Sequence, residues 1–98
     1  MSDAVDVVIR VSKTDPSDVF ALFPADPADN YGDFCTCYQH VGQHSSADYH
    51  GCIATSRPAT EAESSDLLRE LVGRGYLPRV IRKATYRHHV TRRETARQ

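Results

Sequence analysis

The stretch AVDVVIRVSKTDPSDVFALF, residues 4–23, decides the fold. Val5, Val7, Ile9 and Val11 recur at period two with Asp6, Arg10 and Ser12 on the other face and Val8 as the exception, the pattern of a half-buried strand. KTDPSD, residues 13–18, has turn chemistry: Pro16 presets φ, and Asp15 or Ser17 can bond nearby backbone. VFALF, residues 19–23, is a second β-branched and aromatic run, so the segment reads as a β-hairpin and the sheet as antiparallel.

Downstream, PADPADNYGD (24–33) carries two prolines and three aspartates and reads as an exposed loop. FCTCYQHV (34–41) alternates again, with Phe34, Thr36, Tyr38 and His40 on one face and Cys35, Cys37, Gln39 and Val41 on the other, which predicts a third strand. GQHSSADYH (42–50) reads as a polar loop with at most one helical turn from Ser46, and GCIATS (51–56) as a short extended piece. PATEAESSDLLRELVGRG (58–75) holds the clearest local signal: Thr60 and Glu63 have the spacing of a capping box. Leu67, Leu68, Leu71 and Val72 then form an apolar stripe, and Gly73 or Gly75 can end the helix in a left-handed cap. YLPRVIRKATY (76–86) predicts a final strand with Pro78 near its start.

The expected fold is therefore α+β, an antiparallel sheet of four to five strands with one helix, about Thr60 to Gly73, packed on one face. Residues 1–86 are expected to form a single domain, and residues 87–98, without apolar periodicity, a basic flexible tail. Ninety-eight residues with 40% hydrophobic and 26% charged positions suit one globular domain with a modest core that contains no tryptophan. No apolar run approaches the length of a membrane span, and the acidic N-terminal stretch lacks the pattern of a secretory signal, so a cytoplasmic protein is expected. The three cysteines are expected to be reduced, because Cys35 and Cys37 lie two apart on a strand and a bridge between them would be strained.

The net charge of −1 conceals opposite ends. Residues 1–50 hold eight aspartates against Arg10 and Lys13, whereas residues 75–98 hold seven lysines and arginines against Glu94. Nucleic acid is thus a possible partner of the basic segment, through Arg82, Lys83, Arg87, Arg92 and Arg93, with Tyr86 available for stacking. The competing reading is a solvated terminus, and the overall pI of about 6.5 argues against a dedicated DNA binder.

Cys35, Cys37, His40, His44, His50 and Cys52 fall within eighteen residues and raise the question of zinc. A C-x-C pair on a strand sets its thiols in a line, and alternation sends His40 to the other face, so no metal and no cofactor is expected and the cysteines read as core residues. A Cys/His enzyme is the next candidate, with His44 as general base, Asp48 its orienter and Cys52 a nucleophile. Set against it, no G-x-S-x-G, H-E-x-x-H, P-loop or G-x-G-x-x-G occurs, and histidines in a polar loop are commonly solvated. Protein recognition is the remaining class, since the loop combines hydrogen-bonding and aromatic side chains.

At YQHVGQHSSADYHGCIATSRPAT, residues 38–60, the chain resembles a group of short uncharacterised bacterial and phage proteins carried on mobile elements. The shared features are a valine-rich opening strand, a segment like VFALFP, the HVGQHxxADY loop and the RPAT helix entry, from about Val7 to Ile81. The resemblance implies a mobile-element or phage accessory in which the GQH loop is the working surface and the cysteine positions vary. It carries no activity with it. The resulting expectation is a small accessory or regulatory binding protein that recognises a macromolecular partner, a protein, through the loop 40–50, with His40, Gln43, His44, Asp48 and Tyr49 as contact residues. The alternative is a small hydrolase or transferase using the His/Asp/Cys set of the same loop.

Overall fold

A computed structural model describes residues 4–39 and 43–98, Gln43 by its backbone alone. The strands are β1 (Val5–Ser12), β2 (Val19–Pro27), β3 (Cys35–Gln39), β4 (Gln43–Ala47), β5 (Ser56–Pro58) and β6 (Pro78–Val80); the helices are α1 (Tyr49–Ala54), α2 (Glu61–Gly73) and α3 (Tyr86–Ala96). The sheet runs β4-β3-β2-β1, with β5 and β6 sharing the far edge of β1: β5 pairs antiparallel with residues 10–12 and β6 parallel with residues 5–7. All other pairings are antiparallel, and the hairpin over residues 4–23 forms as expected, with Val11 opposite Val19 and Val8 opposite Leu22.

The α+β class and the antiparallel sheet agree with the sequence, but helices cover both faces instead of one. On the first face Val7, Ile9, Ala21, Phe23 and Tyr38 pack against Leu67 and Leu71 of α2. On the second, Val8, Phe20, Leu22, Cys35, Cys37 and Ala47 pack with Tyr49, and Cys52 and Ile53 of α1 close over them. Burial on both sides explains why Val8 breaks the alternation of β1, since a central strand covered twice has no solvent face to keep polar. The segment 42–50, expected as a loop, instead supplies β4 and the start of α1. GCIATS is mostly helix, and the final strand shrinks to three residues.

α2 begins as its sequence predicts. Thr60 Oγ1 accepts from the Glu63 amide (3.2 Å), and Glu63 Oε1 accepts from the Thr60 amide (2.9 Å), completing the box. The same carboxylate receives both ends of the Arg57 guanidinium from β5, at 2.8 and 2.6 Å, tying the helix entry to the sheet edge. At the other end Gly75, at φ +98°, takes the left-handed position; its amide bonds the Val72 carbonyl and that of Tyr76 the Leu71 carbonyl, a Schellman closure.

The segment expected as a flexible tail is largely α3, packed along β2. It lacks an apolar stripe, and polar anchors hold it. Register is lost in β2 between Phe23 and Pro27, and within that break the Pro24 carbonyl accepts from Arg92 Nη1 at 2.8 Å. Arg92 is buried and also donates through Nε to the Gly32 carbonyl (2.7 Å). Gly32, at φ +75°, lies so near the helix that a Cβ would stand 2.7 Å from the Arg93 α-carbon, so only glycine fits this approach. At the helix start the Thr85 amide donates to His88 Nδ1 (2.9 Å), leaving the proton on Nε2 to be donated to Asp6 on β1 (2.7 Å).

Candidate functional site

The best-defined polar constellation forms where β3 and β4 meet the C-terminal end of α2. Tyr38 is fully buried on the first face because strand alternation turns it toward α2, and its hydroxyl donates to Glu70 Oε1 at 2.6 Å. Arg74, one turn on and at the helix cap, brings its guanidinium to 4.0 Å from the same carboxylate and 5.7 Å from the centre of the Tyr38 ring. Cross-strand pairing sets His44 directly opposite Tyr38, and the two rings meet edge to face with centroids 4.9 Å apart. The Schellman turn swings Tyr76 back onto the sheet, where its ring stacks at 5.3 Å on Phe23 and its hydroxyl lies 3.1 Å from His44 Nε2. The outcome is an exposed imidazole held by two tyrosines, beside an exposed arginine whose charge is partly met by Glu70.

Of the five residues expected to touch a partner, His44 alone belongs to this surface with its side chain described. His40 and the Gln43 side chain lie outside the described residues. Asp48 is exposed but sits at the start of α1, on the second face. Tyr49 is a correction: it is buried, its ring packs against His50 and His89, and its hydroxyl accepts from the Ala84 amide at 2.7 Å, so it fastens the chain before α3 and offers no contact surface. Tyr38, Glu70, Arg74 and Tyr76 went unrecognised in the sequence. An aromatic residue directly after a helix-ending glycine was the available sign for Tyr76, because a Schellman closure returns that residue to the core.

The enzyme constellation is not assembled. Asp48 and Cys52 line a slot of about 350 Å³ between α1 and β2–β4, together with Asp18, Cys37, Gln39 and Ser45, whereas His44 stands across the sheet against Tyr38. Burial and then the charges of Asp48 and Asp18 push the Cys52 pKa up, away from a reactive thiolate. Burial lifts Cys35 to about 11 and Cys37 to about 12, so both behave as small core hydrophobes, as the strand pattern predicted. Among the described residues no group of three or more His, Cys, Asp or Glu side chains is arranged to hold a metal.

His88 and His89 serve α3. Arg92 Nη1 donates to His89 Nδ1 at 2.8 Å, which makes that ring nitrogen an acceptor and His89 neutral, and burial, reinforced by the Arg92 charge, keeps its pKa below the usual histidine value. Of the basic residues expected to meet nucleic acid, Arg92 is thereby corrected, its guanidinium being enclosed by protein acceptors; Arg82, Lys83, Arg87 and Arg93 are exposed. No helix is long and apolar enough to cross a membrane among the described residues. Compared with family models, curated proteins and solved structures, the chain matches none of them.

Proposed function

We propose that this is a non-enzymatic binding protein that recognises a protein partner with the surface around His44, Tyr76 and Arg74. The observation that supports this reading is the setting of His44: exposed, oriented by the Tyr76 phenol and the Tyr38 ring, and remote from Asp48 and Cys52. An imidazole held rigid at the surface offers a directed hydrogen bond at little entropic cost, which suits recognition. A general base would need a substrate cavity and an orienting acid on its own face. The mobile-element accessory role implied by the sequence resemblance fits a small protein whose product is an interaction.

Affinity capture from host extract with wild-type protein, with His44→Ala plus Arg74→Ala, and with Arg69→Ala tests the reading. Arg69 is exposed on the same helix and forms only a surface pair with Asp66, so it reports non-specific charge loss. Partners retained by wild type and by Arg69→Ala should disappear from the double variant, with circular dichroism unchanged. Recovery of the same partners by all three baits would overturn the assignment.

A further inference from the structure

The twelve lysines and arginines divide sharply by how their charges are met. Arg57, Arg69, Arg74 and Arg79 lie beside Glu63, Asp66, Glu70 and Asp6. Arg10 and Arg92 are buried and donate to carbonyls, and Lys13 donates to the Ala54 carbonyl. The five that remain, Arg82, Lys83, Arg87, Arg93 and Arg97, are all exposed and have no carboxylate partner among the described residues. They fall within residues 82–97, on α3, its C-cap and the residues just before it. Unpaired cations repel one another, and holding several of them on one docked helix costs stability that a binding role would explain.

The helix sets Arg93 and Arg97 in line with Tyr86, while Arg87 lies about 100° round its axis, beyond Glu94, and Arg82 and Lys83 precede it. At 100° per residue Tyr86, Arg93 and Arg97 share a stripe about 40° wide and roughly 16 Å long. Tyr86 is 81% exposed, and Tyr31, 78% exposed, precedes the glycine that abuts the Arg93 backbone. Exposed aromatic rings beside a row of uncommitted cations are the two elements by which single strands are held: phosphates along the charge, bases on the rings. An acidic peptide would use the cations and leave the rings idle. The anchors of α3, Arg92 buried against Pro24 and Gly32 and His88 partly buried against Asp6, mean that these cations are presented on a fixed helix. They lie on the sheet face opposite His44, so they stand or fall independently of the protein-binding surface.

We propose that the basic surface formed by Arg82, Lys83, Arg87, Arg93 and Arg97 with Tyr86 binds single-stranded nucleic acid. Fluorescence anisotropy with a labelled oligothymidylate, a duplex of equal length and an oligoglutamate peptide, each over a salt series, tests this. The single strand should bind tightest, with log affinity falling linearly in log salt. Arg87→Gln, Arg93→Gln and Arg97→Gln together should flatten that slope by about 2, at roughly 0.7 per lost phosphate contact on a single strand. Tyr86→Ala should weaken binding about tenfold at unchanged slope, and Arg69→Gln, which removes a charge from α2, should leave it unaltered. Equal or tighter binding of the duplex or of oligoglutamate would overturn the proposal, as would indifference to Tyr86→Ala. All the substituted side chains are exposed, and the circular dichroism of each variant establishes that the helix persists.

Discussion

Arg92 on α3 donates from the interior to the Pro24 carbonyl on β2 at 2.8 Å, so a guanidinium fills the gap that the broken register of β2 leaves in the sheet. Its other contacts, the Gly32 carbonyl and the His89 ring, come from different parts of the chain, which makes this one side chain the junction of loop, sheet and helix. Arg92→Met should leave two buried carbonyls without donors, at a cost of about 1–3 kcal/mol for each group that water cannot reach. Urea denaturation would give the loss, and limited proteolysis should cut α3 first. Arg92→Lys should recover only part of it, because an ammonium lacks the planar fork that reaches both carbonyls.

Gly32→Ala tests the close approach separately. The added methyl would meet the Arg93 backbone at 2.7 Å and would hold a left-handed φ, so we expect destabilisation of at least about 1–2 kcal/mol. Amide hydrogen exchange should show faster opening of α3 with β1 and β2 protected as in the wild type. Uniform loss of protection would show instead that α3 and the sheet open as one unit.

Acid stability should carry the imprint of Glu63 and Asp6. The Arg57 hydrogen bonds hold Glu63 at about 2, below its ordinary value of 4.5, and Arg79 and then His88 hold Asp6 below 3.8. Lowered folded-state values mean that the stabilisation is fully present above the unfolded pKa and is lost as pH falls through the folded one. The difference in urea midpoint between wild type and Glu63→Gln should therefore be largest above about pH 5, shrink as pH falls and vanish only below about pH 2. A difference independent of pH would show that the carboxylate charge contributes nothing. Thr60→Ala, which removes the other half of the box, should cost about 1 kcal/mol.

Thiol chemistry should follow burial. In native protein at about pH 8 a maleimide should label Cys52 slowly and leave Cys35 and Cys37 untouched, while all three should react in denaturant. Mass spectrometry of the labelled peptides reads the result. Rapid native labelling of Cys37 would contradict its place in the core.

The sequence by itself determined whatever is encoded within a few residues: the strand character of β1, β2 and β3, the hairpin turn, the inward cysteines, and the box from Thr60 to Glu63 that starts α2. Such features depend on local sterics and local hydrogen bonds, and they appear where the pattern places them. β4 and α3 were illegible for the opposite reason. QHSSA has no apolar alternation because it is an edge strand, and YRHHVTRRETA has no apolar stripe because its anchors are Arg92, His88 and a glycine sixty positions upstream in the chain. Whether an arginine is a solvated charge or a buried tether, and whether His44 faces Cys52 or Tyr38, is decided only when distant carbonyls and rings are brought within hydrogen-bonding range, and only the tertiary structure does that.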